Sequence, residues 1–141
     1  MPDKKASALW SGDLKGGSGT MSSESGVLDG AAYTFASRFE DEGKSNPEEL
    51  IGAAHAGCYS MALSNELHKA GHTSKSVSTK ATVTLEMIDG SPTISTVRLI
   101  AVADVPGLSN ADFQKIAEAT KAACPVSRAL TANIVLEASL A

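Results

Sequence analysis

Asn46-Pro47-Glu48-Glu49-Leu50-Ile51-Gly52-Ala53-Ala54-His55-Ala56-Gly57-Cys58-Tyr59-Ser60-Met61-Ala62-Leu63, running on to Lys69, is the stretch that decides the fold. Asn46 is a capping residue, Pro47 suits the first helical position, and Glu49 completes a capping-box pattern. Both acids favour the positive end of the helix dipole. The helix is predicted to run to about Lys69, with His68 and Lys69 in its last turn and Gly71 just beyond. Its apolar residues occupy more than one stripe, which predicts a long, buried central helix. Gly52, Ala56 and Ser60 recur every fourth residue, as do Ala53 and Gly57. A crossing helix or a covering sheet would each fit against so small a stripe.

Downstream, Val77 to Met87 alternates apolar and polar residues as a half-buried strand does. Asp89-Gly90-Ser91-Pro92 turns the chain back into Thr93–Asp104, making a long hairpin. Ser109 and Asp112 open a second helix from Asn110 to about Ala122, which ends at Cys124-Pro125. A short helix through Val126 to Leu130 and a closing strand at Ile134–Leu140 follow. Upstream, Ala6–Trp10, Thr20–Ser23 and Ala32–Phe39 read as strands separated by glycine-rich turns. The predicted class is α+β, with antiparallel sheets packed on the central helix in a single domain, residues 1–141.

Twelve basic residues against 16 acidic give a net charge of −4, with no basic run. That excludes a nucleic-acid groove and an anionic-membrane patch. Aromatics are only 4% of the chain, too few for base-stacking platforms. No apolar run reaches the ~20 residues of a membrane span. Two cysteines and a polar start predict a reducing, cytoplasmic setting.

Cys58 lies mid-helix and Cys124 at the break before Pro125. Free cysteines are often simple packing residues, and that use fits both. A thiol reacts as its thiolate, however, and Cys58 sits too far along its helix to gain much from the dipole, so it would need a cation. Cys124, at the cap of the short helix, is better placed. The His55–Cys58 spacing of three residues shares a helical face but supplies too few ligands for zinc, and no metal or other cofactor is expected.

Ser23-Glu24-Ser25-Gly26-Val27-Leu28, Arg38-Phe39-Glu40, the Asn46–Leu63 run and Cys124-Pro125-Val126-Ser127 together resemble the OsmC/Ohr family of thiol-dependent organic hydroperoxide reductases. The likeness runs over essentially the whole chain. Arg38 before Phe39-Glu40, with the opening Trp10-Ser11-Gly12-Asp13-Leu14-Lys15, is similar to the OsmC branch. The resemblance implies an intertwined α+β homodimer in which Cys58 attacks an organic hydroperoxide and Cys124 resolves the product as a disulfide, in defence against oxidative stress. It places the family's arginine and glutamate on Arg38 and Glu49. It also implies reduction by a dithiol, such as a lipoylated protein or dihydrolipoamide.

Thiolate attack needs an ionised sulfur, a donor for the departing alkoxide and an apolar wall for the organic group. The guanidinium of Arg38 fits the first two roles, held by Glu49. Phe35, Phe39, Tyr59 and Met61 are the candidates for the wall, and core packing suits each equally well. Nine helical residues separate Glu49 from Cys58, roughly 14 Å and half a turn out of phase. A shared site therefore requires two chains, giving two composite sites per homodimer. The alternative is a dimeric protein that binds small apolar ligands and has unreactive cysteines.

Overall fold

A computed structural model describes all 141 residues, which form two compact units, Met1–Leu50 and Ile51–Ala141. In the first, β1 (Ala6–Ser11), β2 (Ser18–Ser23) and β3 (Ala31–Tyr33) make an antiparallel meander in the order β1-β2-β3. Trp10 packs against Tyr33, with ring centroids 5.4 Å apart. Between them lies Gly19, where a Cβ would come within 2.7 Å of both rings. The expected strand Ala32–Phe39 stops early. Beyond Tyr33 the chain turns into a one-turn helix, α1 (Phe35–Phe39), because Thr34 and Ser37 form a reciprocal capping box. Thr34 Oγ1 accepts from Ser37 N at 3.1 Å, and Ser37 Oγ accepts from Thr34 N at 2.8 Å.

The long helix α2 (Pro47–Lys69) starts at the end of this unit and forms most of its length in the next. Its two small-residue stripes have different fates. Gly52 faces the second sheet, where an added Cβ would meet Val83 at 3.3 Å, and Ser60 donates to Thr79 at 2.7 Å. Ala53, Ala54, Gly57 and Met61 stand exposed. Within one chain, then, the helix is buried along a single stripe: Gly52, His55, Tyr59, Leu63 and Leu67.

β4 (Ser76–Ile88) and β5 (Ser91–Asp104) form the expected hairpin. Its turn is the pair Asp89-Gly90, both at positive φ (50° and 80°), as a tight two-residue hairpin requires. β5 is one residue longer than β4, and Ser95 is the extra residue at a bulge opposite Thr84 and Leu85. α3 (Asn110–Ala123) and α4 (Pro125–Ala129) then carry the chain across to β6 (Asn133–Leu140). β6 pairs with β5 in parallel, so the sheet order is β4-β5-β6 and one ladder departs from the all-antiparallel expectation. A crossover of this length, built from helices, is what a parallel pair needs. The core between α2, α3 and this sheet is made by Tyr59, Leu63, Leu67, Val97, Leu99, Phe113 and Ala117, with Cys124 among them.

Candidate active site

Cys58 and Cys124, 66 residues apart, meet in the second unit. Their sulfurs lie 3.0 Å apart, both free, about 1 Å beyond bonding distance. Helix α2 presents Cys58, which is half-buried. The break between α3 and α4 presents Cys124, which is fully buried. Pro125 makes that break: it takes the first position of α4 and leaves Cys124 as the cap of both helices. Either sulfur can carry the shared proton, but their surroundings differ. Burial pushes the Cys58 thiol up, and the contact with Cys124 adds to this against an opposing N–H from Val126. Burial acts on Cys124 in the same sense. There it is outweighed by the nearby donors, first the Cys58 thiol and then the Ser127 N–H and hydroxyl and the Val126 N–H, so the Cys124 thiol is held below its ordinary value. No cation contributes to either shift.

His55 is one turn before Tyr59 on the buried stripe. Its Nε2 lies 2.7 Å from Ser127 Oγ, and burial pushes its pKa down. Ser127 is thus its hydrogen-bond partner, and no group of three or more His, Cys, Asp or Glu side chains is gathered as a metal site would need. Tyr59 does not form part of a substrate wall. It is fully buried and its hydroxyl donates to the Ala117 carbonyl at 3.0 Å, because the i,i+4 row of α2 turns it into the core. Met61 is 79% exposed on the bare face of the helix.

The other predicted residues gather in the first unit. Arg38, at the end of α1, donates through Nε to Glu48 Oε1 at 2.9 Å. The carboxylate expected to hold it, Glu49, is engaged elsewhere: its backbone N–H donates to Asn46 Oδ1 at 2.7 Å and its side chain accepts from Asn46 Nδ2 at 3.4 Å. The capping pattern already contained this outcome, since an acid turned back onto its own cap is not available to a neighbour. Glu48 is buried, and its second oxygen has no partner. Phe35 and Phe39 pack with ring centroids 4.9 Å apart and, with Arg38, line an open cavity of about 230 Å³ shared with Trp10, Leu14, Tyr33 and Thr34. The guanidinium carbon lies 5.3 Å from the Phe39 ring centre. Glu48, Ser127 and the Trp10–Tyr33 side of this cavity were not singled out from sequence.

Residues 40–139 match the OsmC-like protein family, and the chain is 49% identical to peroxiredoxin OsmC of Escherichia coli K12 over 137 residues, 97% of this chain and 96% of that one. This chain belongs to the OsmC family. Peroxiredoxin OsmC of Shigella flexneri shows the same identity and coverage. Among solved structures, the organic hydroperoxide resistance protein OhrB of Bacillus subtilis matches 97% of this OsmC chain and 98% of its own, with TM-score 0.68 and 22% identity. An OsmC-like protein of unknown function from Vibrio cholerae matches at TM-score 0.75 and 16% identity, over 98% and 99% of the two chains. The OsmC fold is thus shared far below the identity at which side chains can be compared. No helix of this OsmC protein is long and apolar enough to cross a membrane.

Proposed function

We propose that this OsmC-family enzyme, a cysteine-based peroxidase, reduces organic hydroperoxides to alcohols through a Cys58 sulfenic acid and a Cys58–Cys124 disulfide. The observation that carries the reading is the 3.0 Å separation of two free sulfurs brought together from distant parts of the chain. In the first step the Cys58 thiolate attacks the distal peroxide oxygen. The S–O bond forms, the O–O bond breaks, and the alkoxide takes a proton and leaves as alcohol. In the second, Cys124 condenses with the sulfenic acid, forming the S–S bond and releasing water. A dithiol then returns both sulfurs to thiols and is itself oxidised to a disulfide; a lipoylated protein or dihydrolipoamide fits that class. Two free thiols suit a reducing cytoplasm.

Cys58 starts from a raised pKa, so attack at neutral pH needs a cation. Arg38 is the residue we assign. Its ion pair with Glu48 runs through Nε, leaving the outer nitrogens of the fork for sulfur and peroxide. Ten helical residues from Glu48 to Cys58 span about 15 Å, so the Arg38–Glu48 pair serves the Cys58 of a second protomer in a homodimer. The cavity flanked by Phe35 and Phe39 receives the organic group and favours bulky hydroperoxides over hydrogen peroxide. Peroxide treatment of Cys124→Ser, followed by peptide mass spectrometry, tests the chemistry: Cys58 is expected as a trapped sulfenic acid, and an unmodified Cys58 overturns the assignment.

A further inference from the structure

His55 has no part in the chemistry above, yet it is a fully buried imidazole one hydrogen bond away from it. Its Nδ1 is buried without a partner, and that orphan selects the tautomer. Burial keeps the ring neutral, so one nitrogen carries a proton and the other a lone pair. A proton on Nδ1 would leave a buried N–H unanswered, the rarer situation; an unanswered acceptor is milder. With its proton on Nε2, His55 donates to Ser127 Oγ. The hydroxyl proton of Ser127 is then directed away from the ring, and Ser127, third residue of α4, stands in the turn that Cys124 caps.

Helix α4 sets this arrangement, since Cys124 caps it and Ser127 is its third residue. No strict cap bond closes in the resting thiol, which is a weak acceptor; the donors strengthen their hold when the sulfur carries charge. We propose that His55 and Ser127 are positioning residues that form a one-way donor chain onto Cys124, making it the sulfur released as thiolate when a dithiol attacks Cys58 in the oxidised pair. The proposal rests on the disulfide reading given above. Access sets the same direction: Cys124 is sealed in the core, whereas Cys58 is half-buried. The incoming thiolate forms a bond to Cys58, the Cys58–Cys124 bond breaks, and its electron pair goes to Cys124. The second thiol of the dithiol then attacks the mixed disulfide and releases Cys58. A better-stabilised leaving thiolate departs faster. The other groups facing Cys124 are Cys58 and Tyr59. Tyr59 is kept un-ionised by burial, reinforced by the charges of Glu118 and of Cys124 itself.

In Cys58→Ala, Cys124 is the chain's sole thiol, and its ionisation can be followed by ultraviolet thiolate absorbance. In that background Ser127→Ala is expected to raise the midpoint by about one pH unit, tenfold in the ionisation constant. Ser127→Thr, which keeps the hydroxyl, restores it, and His55→Leu raises it in the same direction. An unmoved midpoint in Ser127→Ala, or an equal rise in Ser127→Thr, overturns the proposal. In the unmutated chain oxidised with diamide, a monothiol such as glutathione is expected to be trapped on Cys58; trapping on Cys124 overturns it too. Neither readout uses a hydroperoxide. If the peroxidase reading fails, its failure shows in the Cys124→Ser trapping experiment and not here.

Discussion

His55 is neutral because its ring is out of reach of water, and that makes it a pH-dependent element of stability. Its folded pKa is depressed below the unfolded value of about 6.5. Below that value the unfolded chain binds a proton that the native chain refuses, so stability rises with pH there. The contribution is therefore complete above about pH 6.5 and is lost as pH falls through the lower, folded pKa. Urea unfolding at pH 7.5 and 5.5, a window above the carboxylate range of about 4, should show the protein less stable at the acid end. His55→Gln, which cannot titrate, should flatten that difference; an unchanged slope would mean that the loss comes from another group. Glu42 is held low mainly by Lys44 and then by Thr34, so its contribution is lost only at still lower pH and does not confuse the test.

The elements most plainly written in the sequence are those whose signals are local. Asn46-Pro47 and the acids behind it define the start of α2, Asp89-Gly90 defines the hairpin, and Ser109 caps α3. α1 reads as strand in the sequence because Phe35, Phe39 and Tyr33 carry β propensity, and the capping box of Thr34 and Ser37 overrides that propensity in the fold. The parallel register of β6 was not legible either, since alternation in Ile134–Leu140 fixes which residues face the core and not which way the strand runs. Of the residues proposed for the site, the cysteines and Arg38 stand out in the sequence by type and position. Ser127 did not, because a serine three residues past a cap is ordinary until a buried histidine is found against it. The capping box of α1 also has a functional reading. Thr34 Oγ1 accepts from Ser37 N and donates to Glu42 Oε2 at 2.7 Å, and Arg38 is the next residue along the turn. Thr34→Ala should cost about 1 kcal/mol of stability. If α1 holds Arg38 in its working place, kcat/KM for a hydroperoxide should fall on the order of tenfold while the protein remains folded. A stability loss with full activity would show that the helix does not position the guanidinium.

At the scale of the whole molecule, one chain leaves two demands unmet: a raised Cys58 with no cation acting on it, and a bare stripe of Ala53, Ala54, Gly57 and Met61 along its longest helix. Small residues let a second helix approach closely, and nothing lies within 4 Å of the Cβ that Gly57 lacks. A two-fold dimer through this stripe would meet both demands at once, since each chain would lend its Arg38–Glu48 pair to the other's Cys58. Complementation separates this arrangement from a self-contained protomer. Arg38→Ala and Cys58→Ser should each be inactive as homodimers, one for want of the cation and the other of the nucleophile. Refolded together in equal amounts, random pairing makes half the dimers mixed, and in each of these one of two sites combines the intact Arg38 of one chain with the intact Cys58 of the other. The mixture should therefore recover about a quarter of the wild-type peroxidase activity, the share that two-fold symmetry dictates. If Arg38 served the Cys58 of its own chain, no mixed dimer would contain an intact site, and the mixture would stay as inactive as its components.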